Sequence, residues 1–227
     1  MAGAVEVEGK RVDKAGAEVR AASRVEVQGP KEPFVSRAGR KLAGALDHFG
    51  IDPSGWVCLD AGASTGGFTD CLLQRGAARV YALDVGYGQL DQKLRNDPRV
   101  VVMERVNARH LGQDDLPEPV DLITIDVSFI SLSKVVPALL PHLGRAGHRG
   151  FLLPLIKPQF EAGRGVVGKG GILRDEAVRQ RVVRECAEGL AQLSQGGIEL
   201  VGVFDTPVHG AGGNRESFAL LRRGVTA

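Results

Sequence analysis

The sequence predicts an α/β protein: a Rossmann-like, seven-stranded, mostly parallel sheet with helices on both faces, preceded by a small β-rich segment. Three observations carry this reading. First, residues 56–60 form an apolar run ending in an acid, Asp60, and the turn Gly62-Ala63-Ser64-Thr65-Gly66-Gly67 follows at once and opens a helix. Doubly wound folds begin with such a strand-turn-helix unit, and their ligands meet the backbone there. Second, strand-like apolar runs and helix-like periodic segments alternate along the rest of the chain, as they do around a parallel sheet. Third, further runs end in a charged residue: Asp84, Asp126 and Lys157. The carboxyl ends of parallel strands share one rim of the sheet, so these groups are candidates for a common site.

Taken in order, residues 1–33 read as short strands and turns, with Val5, Val7, Val12, Val19, Val25 and Val27 set among Gly, Lys and Glu. Residues 25–28 alternate like a half-exposed strand and stop at Gly29-Pro30. A piece this small does not make a stable core alone. Residues 33–50 change character: Ser36 is a candidate N-cap, and Ala38, Leu42, Ala45, Leu46 and Phe49 recur at helical spacing up to Gly50. Arg37 and Lys41 are four apart and are expected on one exposed face, within a local cluster that also holds Lys31 and Arg40.

The first strand and its glycine turn come next, with a helix running to about residue 75. Residues 79–84 are the second strand. Its terminal Asp84 stands 22 residues after Gly62, close to the spacing of about 20 at which an acid meets a ribose. Residues 100–104 are the third strand, and Asn107 beyond it fits either an adenine contact or a loop cap. Residues 120–126 are the fourth. Residues 131–142 predict a helix interrupted by Pro137 and Pro141. Residues 151–157 are the fifth strand, and a lysine at its end requires a partner, for which Asp126 is placed. Residues 158–174 are a long glycine-rich loop, of the kind that serves as a lid or binding loop. Asp175 caps a helix with apolar positions Val178, Val182, Cys186, Leu190 and Leu193, ended by Gly196-Gly197. Residues 198–205 and 217–221 are the two closing strands.

Composition narrows the function. With 227 residues, 43% of them hydrophobic, the chain can build one sizeable domain and a small appendage. No apolar run reaches the ~18 residues of a membrane span, and the polar amino terminus does not resemble a signal peptide, so a cytoplasmic location is expected. The three cysteines lack C-x-x-C spacing and the five histidines form no ligand cluster. Buried thiols are therefore expected, with no metal. The net charge of +2 is small, but its basic residues are clustered.

A dinucleotide site asks for G-x-G-x-x-G, and Ser64 stands where the second glycine would be. Asp60 would repel a pyrophosphate and suits a cationic amino group. S-adenosylmethionine carries such a group, with a sulfonium and no phosphate. The candidate cofactor residues are Asp60, Gly62, Ser64, Thr65, Gly66, Gly67, Phe68, Asp84, Asn107 and Asp126. An ordinary strand-to-helix turn would use the same glycines. A nicotinamide dehydrogenase is the enzyme rival.

Four polar residues stand at element ends: Lys41, Asp126, Lys157 and Glu216. With the glycine turn they resemble the catalytic set of FtsJ-type ribose 2′-O-methyltransferases. Phe34-Val35-Ser36-Arg37-Ala38-Gly39-Arg40-Lys41-Leu42, Asp126-Val127-Ser128-Phe129-Ile130-Ser131 and Lys157-Pro158-Gln159-Phe160-Glu161 narrow the resemblance to the TlyA (haemolysin A) family. The resemblance implies S-adenosylmethionine as cofactor, a cytidine 2′-hydroxyl of ribosomal RNA as target, and a ribosomal subunit as partner. It divides the chain into residues 1–33, like the strand-rich latter half of an S4-type RNA-binding domain, and residues 34–227, an FtsJ-like methyltransferase domain. In that setting Lys157 is the expected base, Asp126 orients it, and Lys41 and Glu216 position the ribose. A free lysine, with pKa about 10.4, is protonated at neutral pH; burial and a neighbouring cation can bring such a group toward ~7–8. A structural ion-pair network would use the same four residues. The rival classes are an idle RNA-binding or ribosome-assembly protein and a membrane-active haemolysin.

Overall fold

The structure, a computed structural model, describes residues 5–14, 16–27, 32–144, 150–163, 165–168, 170–193, 197–210 and 213–224. The chain divides into two compact units, Met1–Pro33 and Phe34–Ala227.

The first unit is a three-stranded antiparallel sheet. Its strands are β1 (Val5–Val7), β2 (Lys10–Arg11) and β3 (Val25–Val27), with β1 in the middle. Val7 pairs with Lys10, leaving Glu8-Gly9 as a two-residue turn in which both φ angles are positive, 51° and 74°. That is the hairpin turn whose twist suits the strands it joins.

The second unit is built on seven strands: β4 (Val57–Ala61), β5 (Arg79–Asp84), β6 (Val100–Glu104), β7 (Leu122–Ile125), β8 (Gly150–Ile156), β9 (Ile198–Asp205) and β10 (Ser217–Arg223). Their order across the sheet is β6-β5-β4-β7-β8-β10-β9. The first five are parallel, and β10 runs antiparallel between β8 and β9. The strand order reverses at β4 and β7, which opens a crevice at their carboxyl ends. β4 and β7 are buried along their whole length, as a sheet covered on both faces requires.

One face of the sheet is covered by α1 (Ala38–Phe49) and α2 (Gly67–Gln74), which bury Leu42, Leu46, Phe68 and Leu72 against Cys58, Leu153 and Phe218. The other face packs Leu59, Ile123 and Leu221 against α4 (Val136–Leu139) and α6 (Glu176–Gln192). Asp175 caps α6 by accepting a bond from the Val178 N–H (3.1 Å). Two short helices, α3 (Gln92–Arg95) and α5 (Pro158–Glu161), complete the unit.

Several local expectations are corrected. Ser36 is not the N-cap of α1; Arg37 holds that place without a side-chain cap bond, because Ser36 turns toward Gly67 of α2. Arg37 is exposed but Lys41 is buried, so the two do not share a solvated face. The interruption expected in the 131–142 helix is present and divides it into a 3-10 turn (Leu132–Lys134), α4 and a second 3-10 turn (Leu140–His142). Pro137 and Pro141 lack the N–H that a continuous helix needs. The fourth strand stops at Ile125, which leaves Asp126 just beyond its end. The glycine-rich loop starts with α5 instead of irregular chain. Gly196 lies outside the described residues.

Candidate active site

The glycine turn is shaped by close approaches. Gly62 has φ +89°, and a Cβ there would lie 2.4 Å from the Asp126 carbonyl oxygen. A Cβ on Gly67 would lie 2.2 Å from Ser36 Oγ. Only glycine lets these backbones meet. The Gly62 and Ala63 N–H groups both donate to the Leu83 carbonyl (2.8 and 3.0 Å), pinning the turn to β5. Ser64, at φ +49°, turns the chain toward Asp84. The Asp84 carboxylate accepts bonds from the Ser64 N–H (2.8 Å) and the Gly86 N–H (2.7 Å), so it bridges the loops after β4 and β5.

A cleft of about 770 Å³ opens at the carboxyl ends of β4 and β7, within the size range of ligand pockets. Gly62, Ser64, Thr65, Gly67 and Phe68 form one side, and Lys41, Asp126, Lys157 and Glu216 another. The four polar residues make two ion pairs. Lys41 Nζ lies 2.6 Å from Glu216 Oε2, with side chains 11% and 2% exposed. Lys157 Nζ lies 2.5 Å from Asp126 Oδ1. That oxygen is not aligned for a hydrogen bond; the aligned bond from Lys157 Nζ goes to Ser128 Oγ at 2.9 Å. The Glu216 carboxylate also packs on backbone: a Cβ on Gly210 would lie 2.0 Å from Oε1. Asn214 holds the glycine-rich loop beside it, accepting from the Leu173 N–H (3.0 Å) and donating to the Gly171 carbonyl (2.9 Å).

Four of the residues singled out from sequence stand away from the cleft lining: Asp60, Gly66, Asp84 and Asn107. Asp60 is fully buried among its neighbours. It accepts bonds from Thr69 Oγ1 (2.7 Å) and Thr124 Oγ1 (3.4 Å), and burial pushes its carboxyl up to about 7. It ties β4 to α2 and β7 beneath the turn. Gly66, at φ +96°, is the N-cap of α2, and a Cβ there would strike Leu94. Asp84 is tied to the Ser64 N–H by its carboxylate. Asn107 is a loop cap: it accepts from the Arg109 N–H (3.1 Å).

The sequence reading missed other residues of the cleft: Ser36, Phe129, Gln159, Phe160, His209 and Asn214. Phe129 and Gln159 sit in two of the quoted motif words, and that proximity to Asp126 and Lys157 was the available signal. Cys58 and Cys71 are buried thiols, and burial pushes both up. Among the described residues there is no cluster that could hold a metal ion and no helix long and apolar enough to cross a membrane.

Comparison with known proteins agrees with this geometry. Residues 34–223 match the model of the FtsJ-like methyltransferases. The 16S/23S rRNA (cytidine-2′-O)-methyltransferase TlyA of Mycobacterium tuberculosis is 52% identical over 189 residues, covering 83% of this chain and 68% of that protein. A solved structure from Streptococcus thermophilus, described as a hemolysin, is 39% identical with a TM-score of 0.84, covering 98% of this chain and 80% of that one. An S-adenosylmethionine-dependent methyltransferase from Mesorhizobium loti shares the fold alone: 15% identity, TM-score 0.54, 80% of this chain and 96% of that one. By sequence, and with the fold that goes with it, the chain belongs to the FtsJ-like methyltransferase family.

Proposed function

We propose that this protein methylates the 2′-hydroxyl of a ribose, a cytidine in ribosomal RNA, with S-adenosylmethionine as the methyl donor. One observation carries the reading: two lysine–carboxylate pairs, Lys41–Glu216 and Lys157–Asp126, face the same cleft as the glycine turn. The nucleotide and the ribosomal partner rest on the named relative. We place its action in the cytoplasm, as a reading that rests on that same bacterial relative.

The residues present suit the cofactor. Gly62, Ser64, Thr65, Gly67 and Phe68 offer a backbone-lined wall without a Cβ at the tightest points. Asp84 keeps lone pairs beyond those given to Ser64 and Gly86, enough to accept from ribose hydroxyls. Asn107 stands on the loop after β6, at the adenine end, and Asp60 supports the turn from beneath. S-adenosylmethionine, when bound, supplies an activated methyl group, so the protein's part is alignment and proton removal.

A ribose hydroxyl must lose its proton as its oxygen attacks. Lys157 is the group that takes that proton. Ser128 and Asp126 fix its direction, and the Lys41–Glu216 pair holds the sugar. The first unit, Met1–Pro33, serves as an S4-like contact to RNA.

The test is methyl transfer from labelled S-adenosylmethionine to ribosomal RNA, followed by mapping of the modified nucleotide. Lys157→Ala lowers the rate by ~10²–10⁴-fold, the usual worth of a general base, and leaves cofactor affinity intact. Lys157→Arg fails as well, because arginine does not deprotonate in proteins. An RNA with a 2′-deoxy sugar at the target accepts no methyl. Near-normal turnover by the arginine variant overturns the base assignment, and methylation of the deoxy substrate overturns the ribose assignment.

A further inference from the structure

We propose that Glu161 is a positioning residue for Lys157: its carboxylate clasps the loop carrying Asp126 and Ser128 to the short helix that follows the lysine. The proposal rests on the methyl-transfer reading above. The loop that leaves β7 holds both partners of the Lys157 amine, Asp126 at 2.5 Å and Ser128 at 2.9 Å. Its near end is anchored in the sheet, where the Asp126 N–H donates to the Ala61 carbonyl (2.9 Å). Its far end is anchored by Glu161. Oε2 accepts from Ser131 Oγ at 2.6 Å, and Oε1 accepts from the Leu132 N–H at 2.9 Å. Lys157 is the N-cap of α5 and Glu161 its last residue, so one four-residue helix joins the lysine to the clasp. Burial pushes the Cys186 thiol of α6 up, and the Glu161 charge adds to it.

Between the two anchors the loop is strained. Phe129 has φ +64° and is 89% exposed. A bulky side chain in the left-handed region persists only where its surroundings over-determine it. Without Glu161 the loop loses its polar clasp; Leu132 and the Phe129–Phe160 contact still hold it, but the Ser128 hydroxyl and the Asp126 carboxylate lose their set positions. Lys157 then loses the two groups that aim its amine. Glu161 itself does not line the cleft, so its effect passes through those residues.

The experiment compares Glu161→Ala and Glu161→Gln in single-turnover methyl transfer on saturating ribosomal RNA, with S-adenosylmethionine affinity measured by calorimetry. Glu161→Ala lowers the rate about 100-fold, the cost of roughly 1 Å of misplacement, while cofactor affinity holds. Glu161→Gln restores most of the rate, because its carbonyl accepts from Leu132 and its NH2 donates to the Ser131 hydroxyl. Should the alanine variant not fold, Ser131→Ala removes one of the two clasping bonds and lowers the rate by a smaller factor. A wild-type rate in Glu161→Ala (or in Ser131→Ala, where that variant stands in for it) overturns the proposal. So does a glutamine variant as slow as the alanine one, or cofactor affinity that falls in step with the rate. If the unaltered protein methylates no ribosomal RNA, the functional reading fails on its own. The clasp is then judged by amide exchange at residues 128–132: faster exchange in Glu161→Ala supports it, and unchanged exchange overturns it.

Discussion

Gly210→Ala is a perturbation that moves one carboxylate and little else. The Cβ it adds would lie 2.0 Å from Glu216 Oε1. The carboxylate must retreat by about 1 Å to reach even the 3.0 Å that real Cβ contacts tolerate. It is the end of a side chain, so it gives way before the backbone does. Its bond to Lys41, now 2.6 Å, stretches or breaks. A misplacement of roughly 1 Å costs about 100-fold in rate, which is about 2.7 kcal/mol of barrier. The expected result is a single-turnover rate on ribosomal RNA about 100-fold lower, with S-adenosylmethionine affinity close to that of the unaltered protein and a lowered thermal midpoint, because the buried pair is disturbed. A rate within a few-fold of normal would show that the placement of Glu216 does not govern the reaction.

Two further outcomes follow from the turn. Asp84→Ala removes the acceptor shared by Ser64 and Gly86; it should weaken S-adenosylmethionine binding by about 10–100-fold, each tenfold being about 1.4 kcal/mol, and calorimetry showing unchanged affinity would take Asp84 out of the cofactor site. Asp60 tests linkage: its carboxyl is raised from 3.8 to about 7, chiefly by burial. The unfolded chain ionises it first, so its contribution to stability is fully present below about pH 4 and is lost as pH rises toward 7, a change on the order of 4 kcal/mol. Asp60→Asn should flatten that dependence and exceed the unaltered protein in stability at pH 8; parallel denaturation curves for the two proteins from pH 5 to 8 would contradict it.

The elements of the sheet were legible because their causes are local. Apolar runs closed by Asp60, Asp84, Asp126 or Lys157, a turn rich in glycine and an Asp175 cap each act over a few residues, and all lie within about two residues of where the sequence puts them. The meeting of Asp126 with Lys157 was also legible, since consecutive parallel strands end on one rim. The interruptions at Pro137 and Pro141 were legible too, because proline lacks the N–H that a continuous helix needs.

The chain alone determined the strand-turn-helix unit, the alternation that makes the sheet parallel, and the identities of the four polar residues at element ends. Only the tertiary structure decided what those groups face. Lys41 looks like one of a solvated basic pair along its own helix, and it becomes a buried ion because Glu216, 175 residues away, is delivered to it by β10. Asp60 looks like a ligand contact beside its turn, and α2 and β7 enclose it. Glu161 gains a role only when the loop after β7 reaches it. Backbone preference and hydrophobic period act within a few residues and can be read along the chain. Burial and ion pairing depend on which distant segments the sheet brings together, and no local pattern encodes that.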